Sequence, residues 1–185
     1  MAQVKKVTTP LTDEAVMDLK AGDQVLINGV IYTARDAAHK RLVQMHKDGE
    51  KLPFDLEGQI VYYVGPCPAK PGHAIGPCGP TTSLRMDAYT PAVLELGLKG
   101  MIGKGQRTKD VKDSMIKNKA VYFASVGGAA AVIARSVTKA TVVGFEDFGP
   151  EAIYELEVTD FPCIVVTDAE GADVYDFGMQ QYRID

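Results

Sequence analysis

This sequence predicts an α/β fold with a mixed sheet, formed as a single domain over residues 1–185. Three observations point there. In the second half, apolar stretches of strand length near 100–102, 120–126 and 141–145 alternate with helical patterns near 108–117 and 129–138; such alternation builds strand–helix–strand units with parallel pairing. Antiparallel pieces come from Asn28-Gly29, a hairpin-turn dipeptide inside an alternating run from Gln24 to Thr33, and from two neighbouring strands at 153–158 and 163–168 that end the chain. A length of 185 residues, 46% hydrophobic and 24% charged, suits one domain with a real core.

The elements follow in order. Residues 3–8 read as a short strand. Thr12 offers an N-cap hydroxyl ahead of Asp13 and Glu14, whose charge suits a helix N-terminus. After the expected hairpin, Arg35 leads into a helix that runs to about Lys47. Pro53 and the glycines at 49 and 58 interrupt the chain before a strand over 59–64. Residues 65–80 hold five prolines and four glycines in sixteen positions, a density that excludes regular structure. A loop of that length inside a compact domain usually carries function. Thr81 and Thr82 end it as N-cap residues for a helical segment, and Pro91 starts the next helix in its first turn. No repeat or low-complexity stretch is visible, which argues against a solenoid.

Composition removes several function classes. A formal net charge of −4 and a pI near 5.4 argue against a nucleic-acid binder, which needs clustered positive charge for phosphates. No apolar run approaches the roughly 20 residues of a membrane helix, and the N-terminus lacks an apolar signal-peptide core before Pro10. The expected compartment is the cytoplasm, with no membrane partner. Cys67, Cys78 and Cys163 are too few and too scattered for a disulfide framework. Three thiolates suffice for an iron–sulfur cluster with one open iron, yet Cys163 begins the apolar run Cys163-Ile164-Val165-Val166, where a buried free cysteine is ordinary. No metal ligand is expected on this chain.

Cations and hydroxyls gather at element boundaries. Arg35 stands between a strand and a helix; Thr81, Thr82 and Arg85 stand where the Pro/Gly loop enters a helix. Lys104 and Arg107 lie in Gly103-Lys104-Gly105-Gln106-Arg107 just past a strand, and Gly127-Gly128 precedes a helix whose free N–H groups suit an anion. Converging cations of this kind fit a small dianion, because arginine grips a carboxylate through two parallel hydrogen bonds. Spacing alone leaves plainer readings open: pure helix caps for the threonines, an exposed helical position for Arg85, a solvated tip for Lys104. His39, one turn past Arg35, either faces the same site or packs in the core; His73 and His46 read as surface. Glu146 and Asp147 read as partners for the cations or as a solvated strand end. No P-loop, Ser/His/Asp order or HExxH pattern is present.

At residues 76–89 the sequence resembles one family: the C-terminal region of class I fumarases and the β subunit of L-tartrate dehydratase. The resemblance is carried by Gly79-Pro80-Thr81-Thr82 with Arg85-Met86-Asp87, by Arg35-Asp36-Ala37-Ala38-His39-Lys40, by Met101-Ile102-Gly103-Lys104-Gly105, and by Val126-Gly127-Gly128-Ala129-Ala130. Phe145-Glu146-Asp147 and Glu151-Ala152-Ile153-Tyr154 extend it over nearly the whole chain. It implies a swivelling β/β/α domain that works against a cluster-bearing α subunit, in a heterotetramer, with the [4Fe–4S] cluster ligated by that partner. It further implies that Arg35, Arg85 and Lys104 bind the carboxylates of a dicarboxylate substrate. Thr81 matches a threonine of the proton-transfer step; the role of His39 stays open. The activity implied is reversible hydration of fumarate to (S)-malate, with L-tartrate to oxaloacetate as the alternative. A carboxylate-binding or assembly module without turnover is the other class of reading.

Overall fold

A computed structural model describes residues 4–126 and 128–184. Its strands are β1 (Lys5–Thr8), β2 (Gln24–Thr33), β3 (Ile60–Tyr62), β4 (Gly100–Gly103), β5 (Val121–Ala124), β6 (Val137–Gly144) and β7 (Ile153–Thr167). The pairs β1–β2, β2–β3, β3–β4 and β4–β5 are parallel, while β7 runs antiparallel to β2, β5 and β6. Because β7 pairs with both β2 and β5, the strands β2, β3, β4, β5 and β7 close into a ring. The mixed sheet of an α/β fold is therefore present.

Strand side chains divide by the two-residue period of the pleat. Ile60, Tyr62, Ile102, Val121 and Phe123 join one core with Ile27, Ile31, Leu156 and Phe161. Val61, Tyr63, Met101 and Tyr122 join a second core with Ala38 and Leu42 of α2 (Asp36–Lys47), Val93 and Leu94 of α3 (Thr90–Glu95), and Val111 and Met115 of α4 (Lys109–Asn118). Both faces of the parallel strands are covered, which is why these segments read as unbroken apolar runs. The short helix α1 (Asp13–Asp18) starts as expected, with the Thr12 hydroxyl accepting from the Ala15 N–H at 3.2 Å. Pro91 lies in the first turn of α3.

Four expectations are corrected. Asn28-Gly29 is not a hairpin: β2 passes straight through it, with a bulge where the register to β7 shifts between Ile27 and Gly29. The bulge is matched across the ladder, since Asn28 Oδ1 accepts from the Asp160 N–H at 2.9 Å and Asp160 adopts a left-handed φ of 47°. The same pairing merges the two expected C-terminal strands into the single 15-residue β7. The expected helix at 129–138 shrinks to α5 (Ala130–Ile133) and one 3-10 turn, because Val137 already pairs with Val158 in the sheet. Finally, the chain closes on a helix, α6 (Val174–Tyr182), whose start is capped by Asp173 accepting from the Tyr175 N–H at 2.8 Å. Residue 3 of the first expected strand lies outside the described residues.

Candidate active site

The parallel strands end together. Past their carboxyl ends the chain leaves β2 at Arg35, β3 at Gly65 and β4 at Lys104, the edge at which α/β sheets usually bind ligands. The Pro/Gly loop leaves this edge and returns to it. There the Thr81 N–H donates to the Tyr63 carbonyl at 2.7 Å, Thr82 bridges to Lys104 in parallel pairing, and the Ser83 N–H donates to the Lys104 carbonyl at 2.9 Å. Ser83 also hydrogen-bonds the Tyr122 hydroxyl at 2.8 Å while sitting over Gly103, where an added Cβ would lie 2.0 Å from its Oγ. Only glycine admits that approach. The threonine pair is thus locked beside Lys104.

Arg85, in the 3-10 turn Ser83–Met86, donates from Nη2 to both Asp36 carboxylate oxygens at 2.9 Å. Asp36 is the first residue of α2 and the chain neighbour of Arg35. Burial pushes the Asp36 carboxyl up, but Arg85, its own backbone N–H and Arg35 outweigh that and hold it below the usual carboxylate range. Arg35 places Nη1 3.0 Å from Glu151 Oε1. Arg35, Thr81, Arg85 and Lys104 therefore share one edge of the molecule. The Thr81 hydroxyl and the Lys104 ammonium make no hydrogen bond among the described residues. The buried Arg35 Nε, at the same strand ends, has no hydrogen-bond partner among the described residues. Thr82, Leu84, Arg85 and Lys104 are exposed, so the edge is open on one side.

A sequence profile described as the Fumarase C-terminus matches residues 1–178. The chain belongs to that family. It is 41% identical over 172 residues to a putative L(+)-tartrate dehydratase subunit beta of Methanocaldococcus jannaschii, covering 90% of this chain and 88% of that one. It is 38% identical over 156 residues to fumarate hydratase 2 of Leishmania major, covering 83% of this chain and 28% of that protein. The aerobic class I fumarate hydratase of Escherichia coli is 38% identical over 151 residues, again with 28% of its length matched. The chain thus spans less than a third of these two fumarate hydratases and most of the tartrate dehydratase subunit. All the stretches that carried the resemblance fall within the matched span of this Fumarase C-terminus chain.

The structure sets other candidates aside. Arg107 is buried, with Nε 2.8 Å from Asp87 Oδ1 and Nη2 donating to the Thr90 hydroxyl at 2.7 Å, so it braces the core and does not join the cationic edge. Thr82 stands at the N-cap of the 3-10 turn that follows, as expected, but its hydroxyl makes no capping hydrogen bond. Gly127 lies outside the described residues, and the helix after Gly128 is a single turn starting at Ala130, too short to concentrate a dipole. Asp147 pairs with Arg41 and Glu146 is exposed; neither reaches the cationic edge. His46 and His73 are exposed. What the sequence reading missed are the two carboxylates, Asp36 and Glu151, on which the arginines rest. Asp36 reads locally as a helix-dipole residue, and nothing around Glu151 signals an arginine 116 positions earlier in the chain.

His39 packs; it does not face the open edge. Its Nδ1 lies 2.9 Å from the Arg35 carbonyl, which requires an Nδ1–H, and its ring meets Tyr63 edge-on at 5.3 Å. Burial pushes its pKa from 6.5 to about 4. Unfolded, the imidazole takes up its proton near 6.5; folded, it resists until about 4. Stability from this group is full above pH 6.5 and is lost as pH falls through that window, by on the order of 3 kcal/mol. His39→Asn keeps an N–H near Nδ1 without a titrating ring. Urea midpoints at pH 7.5 and 4.5 should fall farther in the wild type than in this variant; equal falls would exclude His39 as a source of acid sensitivity.

Proposed function

We propose that this chain is the β-type subunit of a class I, iron–sulfur-dependent hydro-lyase that adds water reversibly to a four-carbon dicarboxylate. The observation that carries the reading is that Arg35, Arg85 and Lys104 stand along one edge with Thr81, whose hydroxyl makes no hydrogen bond among the described residues. Fumarate to (S)-malate is the first reading. L-tartrate to oxaloacetate is the second, favoured by the relative named as a tartrate dehydratase subunit beta, whose length this chain nearly matches. The whole chain acts as one swivelling β/β/α unit, and the expected compartment is the cytoplasm. Among the described residues no helix is long and apolar enough to cross a membrane.

The open side of the edge is where a partner α subunit belongs, in a heterotetramer. The [4Fe–4S] cluster belongs on that partner too. Burial pushes the Cys78 thiol up to about 11 and the Cys163 thiol higher still, against the thiolate form a cluster requires. Cys67 is exposed and separate in burial from these two. The described residues gather no set of three His, Cys, Asp or Glu side chains about a metal position.

What the residues of this chain do follows from charge. Loss of a proton beside a carboxylate loads a second negative charge onto that group, so guanidinium and ammonium donors stabilise the transition state more than the bound substrate. Arg35 and Arg85 each commit one terminal nitrogen to an internal carboxylate, which leaves the other terminal nitrogen for substrate. Thr81 lies beside Lys104 through the Thr82 bridge and serves the proton transfer. A free hydroxyl is too weak a base at neutral pH, so it works with an acidic group of the α subunit. The test is direct. The isolated chain should show no hydratase activity, and anaerobic co-purification with its α partner should restore it on fumarate or tartrate. Turnover by the isolated chain without iron overturns the subunit reading.

A further inference from the structure

We propose that Glu151 is a positioning residue for Arg35, held in place by the turn Glu146–Glu151; the proposal rests on the function proposed above. This turn is irregular. Phe145 enters it at φ 56°, Gly149 breaks its helical path at φ 56° and ψ −119°, and Pro150 follows. Something outside the turn must therefore hold its shape, and α2 does so. Arg41 Nη1 donates to both Asp147 carboxylate oxygens at 2.8 Å. The same guanidinium carbon lies 4.6 Å from the Phe145 ring centre and 5.2 Å from that of Phe148, which themselves meet edge-on at 5.6 Å. A cation held over two rings and paired with a carboxylate anchors one segment to another.

Arg41 lies on the helix that Arg35 starts, so the anchor and the site residue belong to one rigid element. With the turn pinned there, its last residue meets Arg35: Glu151 Oε1 is 3.0 Å from Nη1. Gly65 makes the meeting possible. A Cβ at Gly65 would lie 3.0 Å from Arg35 Nη1, 3.3 Å from its Cδ and 3.3 Å from the Pro150 carbonyl. The guanidinium thus runs through a slot between the backbone at Gly65 and the turn. One nitrogen is engaged, and the buried Nε has no partner among the described residues. An arginine held at one nitrogen has its plane set before substrate arrives, which lowers the ordering cost of gripping a carboxylate. Both partners are partly exposed, and such a pair contributes little to fold stability; its effect belongs to binding.

The experiment uses the assembled α–β enzyme with Glu151→Gln and Arg35→Ala, singly and together. On whichever of fumarate and L-tartrate the wild type turns over, Glu151→Gln should raise KM about tenfold with kcat within about twofold, the signature of lost uniform binding. The dissociation constant of succinate, a dicarboxylate that cannot be dehydrated, should rise by the same factor. The thermal midpoint should stay within about 2 °C. On the Arg35→Ala background, Glu151→Gln should change KM less than about twofold, because the positioned group is gone. An unchanged KM in the single variant, or an equal rise on both backgrounds, overturns the positioning role. If the wild-type assembly neither hydrates fumarate nor dehydrates L-tartrate, the functional reading fails, and the succinate constant still decides the role of Glu151.

Discussion

Replacing Arg85 by alanine should lower kcat/KM of the assembled enzyme by about two to three orders of magnitude while leaving the fold intact. On the proposed function, the size follows from the loss of a charge-assisted, two-point grip on a carboxylate, worth roughly 3–4 kcal/mol in a site closed by the proposed partner. The fold should survive because the Arg85–Asp36 pair is partly exposed, at 46% and 34% for the two side chains, and such pairs contribute at most about 1 kcal/mol. Arg85→Lys should recover only part of the loss, since an ammonium cannot offer the planar fork. Initial rates with fumarate and L-tartrate, beside a thermal melt of each variant, provide the check. A rate within about threefold of wild type removes Arg85 from the site.

Asp87→Ala should have the opposite profile: a large loss of stability from a residue that touches no substrate. Asp87 and Arg107 form a buried ion pair, with side chains 7% and 0% exposed. The second carboxylate oxygen of Asp87 accepts from the Thr108 N–H at 2.7 Å, at the start of α4. Arg107 also reaches the Tyr63 hydroxyl at 3.2 Å and stacks near the Tyr63 and Tyr122 rings. Removing the carboxylate strands a buried guanidinium and frees the Thr108 N–H at the start of α4, which costs about 3–5 kcal/mol. In a chain of 185 residues the melting midpoint should fall on the order of 10 °C. Asp87→Asn keeps an acceptor for Thr108 and should lie between. A midpoint shift below about 2 °C in Asp87→Ala would show that the pair is not the brace its burial suggests.

The contrast between these two arginines shows where sequence reading stops. Arg85 and Arg107 both follow glycine-rich stretches near element starts, and nothing local separates them. Arg85 finds its carboxylate 49 positions away on α2 and stays at the surface, whereas Arg107 finds one 20 positions away and is enclosed by tyrosines. The same limit explains the missed bulge. Asn28-Gly29 has the composition of a hairpin turn, but pairing with β1 on one side and β7 on the other, with bonds from Asn28 to Asp160 across the bulge, keeps β2 extended. β7 escaped recognition as one strand for the matching reason, as the break sits at Asp160 itself.

From its residues alone the chain determined the strands β3, β4 and β5, the Thr12 cap, Pro91 in the first turn of α3, the irregular loop over 65–80, and the boundary positions of Arg35, Thr81, Arg85 and Lys104. These features depend on apolar period, capping chemistry and proline or glycine geometry, all of which act within a few residues. Tertiary structure decided the closure of the ring through β7, the gathering of those boundary residues at one edge, and which charge each cation meets. A hydrogen bond or ion pair needs partners within about 3 Å, and which distant residues come that close is settled only when the strands pack.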